Sequence, residues 1–157
     1  MATYRHTRAL TKEEAAYIAG IIDGEGTISL SRRHRNDNRQ LVISIANTEP
    51  DLLDYIHQTI GAGRITKKRT VSSRHSPSST YVLDNRQALA LLAQVAPYLR
   101  TYKAKRAALI LSDYIRLTPR NGKYSKAQQL EREVFAEKFL GLRSAVTPRA
   151  KETAEFS

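Results

Sequence analysis

Ile18-Ala19-Gly20-Ile21-Ile22-Asp23-Gly24-Glu25-Gly26 is the stretch on which the reading of this chain turns. Apolar and small residues run straight into two carboxylates set among glycines. Just upstream, Thr11-Lys12-Glu13-Glu14 is a capping box: the Thr11 hydroxyl takes a free amide of the first turn and Glu14 reaches back. The pattern predicts a helix from about Lys12 to Ile22, broken by Gly24 and Gly26. Ala16, Ala19 and Gly20 are small, and small residues let a second helix backbone approach closely. A helix glycine packed on a sheet is the alternative. Asp23-Gly24-Glu25-Gly26 reads as a glycine turn with two carboxylates, ligands of the kind hard cations such as Mg²⁺ prefer. An acidic turn that merely closes a helix is the alternative here.

Working outward, Thr27 to Arg33 alternates, with Ile28 and Leu30 on one side and Thr27, Ser29, Ser31 and Arg33 on the other. That is strand periodicity. His34 to Arg39 reads as a loop, and Gln40 to Ala46 alternates again with Leu41, Ile43 and Ile45 inward. Thr48-Glu49-Pro50-Asp51 predicts a second helix with Thr48 as its cap, ending before Gly61. Gly63 to Val71 and Thr80 to Asp84 read as a second hairpin around the loop Ser72 to Ser79. Further helices are expected from Gln87 to Ala96, from Tyr102 to Leu117 (with Ala107, Ile110, Leu111 and Ile115 as the apolar face) and from Lys126 to Leu142. The order helix, hairpin, helix, hairpin, helices predicts an α+β fold in one domain, 1–143, followed by a polar tail, 144–157.

Composition narrows the partners. Lys and Arg number 26 against 15 Asp and Glu, giving +11 and a pI of about 10.1, which favours a polyanion, nucleic acid first. Cysteine is absent, which removes disulfides, Cys-ligated zinc and thiol catalysis. The N-terminus has no apolar signal region and no apolar run reaches membrane-spanning length, so an intracellular, non-secreted protein with no membrane partner is expected. The four histidines lack metal-ligand spacing, and neither a dinucleotide fingerprint nor a phosphate-binding loop is present, so no small-molecule substrate is expected.

The nine residues Ile18 to Gly26 resemble the signature of the LAGLIDADG homing endonucleases, in its single-motif form. The resemblance extends in element order over about Lys12 to Leu117, and implies an α-β-β-α-β-β-α fold with a curved antiparallel DNA-binding sheet and extra C-terminal helices. It implies that the signature helix is a homodimer interface, contributed by Ala16, Ala19, Gly20 and Asp23. By the same resemblance Glu25 ligates Mg²⁺, with Mn²⁺ the alternative, the Gly24 carbonyl is a further ligand, and Asp23 is mainly a structural turn residue. The family more often carries Asp where this chain has Glu25, one methylene longer. Asn47 matches the polar position that holds water near the nucleophile, and Lys103 the central lysine that faces accumulating phosphate charge, with Lys105 the alternative. These three, Glu25, Asn47 and Lys103, are the implied catalytic set.

A strand pair fits the major groove with alternate residues toward the bases. The first hairpin offers Thr27, Ser29, Ser31, Arg33, Gln40, Val42 and Ser44; the second offers Arg64, Thr66, Lys68, Thr70, Thr80 and Val82. Arg33 and Arg64 suit guanine, Gln40 suits adenine, and Val42 and Thr66 suit a thymine methyl. The implied activity is a site-specific double-strand break in a long pseudo-palindromic duplex, cut across the minor groove with short 3′ overhangs, that initiates the homing of an intron or element. The rival is a related RNA maturase or DNA-binding regulator without cleavage, for which RNA is a partner.

Overall fold

In the computed structural model of the chain, the described residues are 5–67 and 77–144. Period-2 alternation builds the sheet: Ile28, Leu30, Leu41, Ile43, Ile45, Tyr81 and Leu83 all turn to one face and are buried there. They belong to β1 (Gly26–Ser31), β2 (Gln40–Asn47) and β4 (Ser79–Asp84); β3 (Arg64–Lys67) completes an antiparallel sheet of order β1-β2-β4-β3. Gly26 opposes Ile45 and Ser31 opposes Gln40, while Asn47 opposes Ser79 and Val42 opposes Asp84.

Helices cover that apolar face. α1 (Lys12–Glu25) buries Ala15, Ile18, Ala19 and Ile22; α2 (Pro50–Ile60) buries Leu53, Ile56 and Ile60; α3 (Asn85–Val95) buries Ala88, Leu91, Leu92 and Val95. Each set falls at helical three- and four-residue spacing, one apolar stripe per helix. After a 3₁₀ turn at Ala96–Tyr98 come α4 (Tyr102–Asp113) and α5 (Lys126–Gly141). These two flank β1: Arg106 of α4 donates to the Ile28 carbonyl at 2.7 Å and to the Leu142 carbonyl at 2.7 Å. Among the described residues, no helix is long and apolar enough to cross a membrane.

Several boundaries differ from the sequence expectation, each for a physical reason. α1 does not stop at Ile22; it runs through Gly24 to Glu25, so the two carboxylates lie in a last helical turn and not on a glycine turn. The Gly26 amide closes this end on the Ile21 and Ile22 carbonyls. Gly26 is required for closeness, since a Cβ there would lie 2.7 Å from the Ile22 Cα. β1 ends at Ser31, which leaves Arg33 on the following loop. Thr48 does not cap α2: the cap position is Glu49, whose amide is taken by the Asn47 Oδ1 at 2.7 Å. α3 starts two residues early, at Asn85, which has φ +52°. The helix expected to reach Leu117 stops at Asp113; Leu111 on α4 and Ile115 just beyond it are exposed, and the buried side of α4 carries Lys103, Arg106, Ala107 and Ile110. Lys68, Thr70 and most of the loop between β3 and β4 lie outside the described residues.

Candidate active site

The last turn of α1 delivers the two carboxylates to different tasks. Asp23 turns toward α4: its carboxylate accepts from the Arg100 amide at 2.8 Å, the Thr101 amide at 3.2 Å and the Thr101 hydroxyl at 2.6 Å. Burial pushes its pKa up, but the Thr101 hydroxyl, the two amides and the nearby Lys103 charge together hold it below the ordinary carboxylate value. Asp23 is thus a structural residue, spent on tying α1 to the start of α4. Glu25 is exposed and turns the other way, toward β2, where its Oε2 accepts from the Asn47 Nδ2.

Asn47 has its amide polarity fixed from behind. The Glu49 backbone N–H can only donate, so it takes the Asn47 Oδ1 and leaves the Nδ2 to face Glu25. An ionised carboxylate can only accept, so the two ends of this short chain agree. Residues distant in sequence, Glu25 and Asn47, are thereby brought together.

Lys103 comes from α4 to the same helix end by another route. Its Nζ donates to the Ile22 carbonyl at 2.7 Å and the Asp23 carbonyl at 3.0 Å. The last four carbonyls of a helix lack intrahelical partners, and a cation there also meets the negative end of the helix dipole. Lys103 is only 7% exposed. Burial holds its pKa below the ordinary lysine value; the Asp23 carboxylate opposes this and Arg106 adds to it. It lies behind the helix end, while Lys105 is exposed.

The outer face of α1 separates the expected interface residues. Ala16 and Gly20 are exposed, together with Tyr17 and Gly24, whereas Ala19 is fully buried in the chain's own core. A Cβ at Gly20 or Gly24 would meet nothing within 4 Å, so nothing in the chain's own packing requires these glycines.

Opposite the helices, the sheet presents Thr27, Ser29, Ser31, Gln40, Val42, Ser44, Arg64, Thr66, Thr80 and Val82, none of them buried. Two partners of this face were not legible in advance. Asp84 binds Arg64 at 3.2 Å, and Asn85 donates to the Gln40 Oε1 at 3.2 Å. Also unforeseen are Arg106 and Arg132, buried cations that donate to backbone carbonyls. Arg132 takes those of Leu117 (2.7 Å) and Arg39, and the Thr118 hydroxyl at 2.8 Å. The residues next to them in sequence offer no local sign of such long-range partners.

Among the described residues no cluster of three or more His, Asp or Glu side chains exists that could hold an ion. What one chain offers is one exposed carboxylate, Glu25, beside the Gly24 carbonyl in a helix's last turn. Mg²⁺ is commonly held by one or two carboxylates, waters and substrate phosphates. The donor set fits half of such a site.

A family model for the LAGLIDADG-like domain matches residues 12–107, more than half of the chain. Among solved structures, the homing endonuclease I-CvuI in complex with its target in the presence of 2 mM Ca has a TM-score of 0.68 at 22% identity, covering 84% of this chain and 83% of that one. I-CvuI with the I-CreI target and 2 mM Mg, DNA not cleaved, gives 0.66 at 21%, with coverage of 84% and 83%. The archaeal intron-encoded homing endonuclease I-Vdi141I complexed with DNA gives 0.55 at 19%, covering 87% and 88%. No curated protein matches the chain. With its signature at the end of α1 and the sheet that follows, the chain belongs to the LAGLIDADG-like family.

Proposed function

We propose that this chain is a homodimeric, divalent-metal-dependent, site-specific DNA endonuclease that makes a double-strand break in a long pseudo-palindromic target and so initiates homing. The observation that carries it is the juxtaposition at one helix end: an exposed Glu25 carboxylate, oriented by Asn47, stands where the open polar face of the sheet begins. The same helix exposes Ala16, Gly20 and Gly24 at four-residue spacing, a surface that a second α1 can approach closely. Two copies then bring two Glu25 carboxylates together and place two sheets on two half-sites. The solved relatives support the reading, being homing endonucleases bound to DNA.

In this reading Glu25 and the Gly24 carbonyl hold the ion, Mg²⁺ or Mn²⁺. When bound, it lowers the pKa of a water and neutralises phosphate charge. Asn47 keeps the Glu25 carboxylate facing its ligand. Lys103 fixes the α1 terminus that presents both ligands and adds positive charge behind the phosphates. Asp23 holds α4, and with it Lys103, in place.

The test is a cleavage selection on a randomised duplex library with Mg²⁺, comparing wild type with Glu25→Gln. Discrete long sites cut by wild type alone are expected, and Glu25→Gln keeps binding that weakens steeply as salt is raised. Salt-sensitive binding with no cutting by wild type would overturn the endonuclease in favour of a binding protein.

A further inference from the structure

Gln40 starts β2 at the end of the sheet remote from Glu25, opposite Ser31. The β2–β4 ladder stops at Val42 against Asp84, so by register the Leu41 amide would face position 85. There the chain turns left-handed, with Asn85 at φ +52°. The Leu41 amide is taken instead by the Tyr114 hydroxyl at 3.2 Å. Tyr114 is 1% exposed, and a buried hydroxyl that accepts from an N–H still has its own proton to place. It donates to the Asn85 Oδ1 at 3.3 Å, and the Asn85 Nδ2 donates to the Gln40 Oε1 at 3.2 Å.

A backbone amide cannot reverse its polarity. Because the series begins on one, every later group is set: hydroxyl out, amide out, amide out. The same logic fixes Asn47 toward Glu25 at the other end of the sheet, where the Glu49 amide is the anchor. Gln40, Asn85 and Tyr114 also share the wall of a solvent-open groove of about 1070 Å³, so the outward end of Gln40 is accessible.

We propose that Tyr114 and Asn85 are positioning residues that hold Gln40 with its amide N–H directed outward, so that this position reads a hydrogen-bond acceptor on a base edge. Guanine, with N7 and O6 side by side, is the preferred base, and cytosine, which presents a donor, is the rejected one. The adenine pairing expected from sequence needs the Gln40 oxygen at the base edge as well, and that oxygen is turned toward Asn85. The inference rests on the DNA-reading role proposed above for the open face, and deepens it at one position per half-site.

The experiment compares wild type, Asn85→Gly, Asn85→Asp and Tyr114→Phe in the library selection, alongside side-chain amide resonances of the free proteins. Glycine keeps the left-handed turn while removing the relay. Wild type should favour guanine over cytosine about tenfold at one position per half-site, the scale of one good base contact. Asn85→Gly and Tyr114→Phe should level that position and leave the others unchanged. Asn85→Asp can only accept, so it turns Gln40 around, and the preference should pass to a base that presents a donor, cytosine or adenine. In the free proteins, the Asn85 side-chain amide should exchange slowly in wild type and quickly in Tyr114→Phe. Identical base profiles in all four proteins would overturn the proposal, as would an Asn85 amide indifferent to Tyr114→Phe. If wild type enriches no site, the DNA reading falls with its base-reading corollary, while the amide exchange still decides the relay itself.

Discussion

At the β1 edge of the sheet, the carbonyls of Ile28 and Leu30 are taken by Arg106 at 2.7 Å and Arg39 at 3.1 Å, with α4 and α5 packed alongside. At the other edge, β3 exposes Arg64, Thr66 and Lys67, and its arginine pairs with a partly exposed Asp84. A bare strand edge is a template for unwanted pairing, and covering it or charging it are two ways to prevent this. This molecule uses both. The covered edge adjoins Glu25, where geometry has to be held. The charged edge stands on the face proposed to meet DNA, where cations have a second use.

The largest effect that would break this comparison is Arg106→Leu. Arg106 stacks over Phe139 with its guanidinium 4.7 Å from the ring, and joins β1, α4 and the end of α5 through two carbonyls. Leucine keeps apolar bulk but leaves both carbonyls without that donor, at about 1–3 kcal/mol for each buried group left unpaired. A loss of about 3–5 kcal/mol in chemical denaturation is expected, together with protection lost at β1 amides in hydrogen exchange. A loss below about 1 kcal/mol would mean that apolar packing alone covers this edge.

How much of this was legible in the sequence follows from how local each cause is. Ile28, Leu30, Leu41, Ile43 and Ile45 announce their face by alternation, and Thr11 with Glu14 announces the start of α1, because the partners lie within a few residues. Glu25 and Asn47 were legible through the signature and its element order. The end of α1 was not: Lys103, 81 positions away from Ile22, satisfies carbonyls that a local reading ends at Gly24. Asn85 and Tyr114 carry no periodic signal at all, since their roles come from the place where β4 stops beside β2. Arg106 and Arg132 gave no sign of burial in the sequence, because their partners are backbone oxygens, which no side-chain pattern encodes.

The second effect sharpens the covered side. In Lys103→Met the chain length is kept while two carbonyls at the α1 terminus lose their cation, at a cost of about 1–3 kcal/mol. The pH dependence separates this from packing loss. Burial holds the folded-state pKa of Lys103 below its unfolded value, so between the two the unfolded chain binds more protons and stability from this group rises with pH. Lys103→Met should flatten that rise just below the ordinary lysine value. Asp23 supplies the opposite limb. Its folded pKa is depressed, so its contribution is complete above the ordinary carboxylate value and is lost as pH falls through the folded one. Asp23→Asn should flatten the acid limb alone, and a variant that changed both limbs equally would show that the two groups titrate as one unit.

The smallest stability effect belongs to the charged edge. The Arg64 and Asp84 side chains are 56% and 39% exposed, and exposed pairs contribute about 0–1 kcal/mol. Arg64→Ala should therefore leave the denaturation midpoint nearly unchanged. Its DNA affinity should fall, and the slope of log affinity against log salt should shrink by about one if Arg64 meets a phosphate. If it reads a guanine instead, the slope should hold and discrimination at one base pair should relax by about 1–3 kcal/mol. Asp84 bears on which of these occurs, because by holding one side of the guanidinium at 3.2 Å it leaves the other to face outward. A pre-oriented fork favours base reading over a loose phosphate contact, so Arg64→Ala is expected to relax specificity more than it changes the salt slope, while Asp84→Asn loosens the fork and costs part of that specificity with little change in stability.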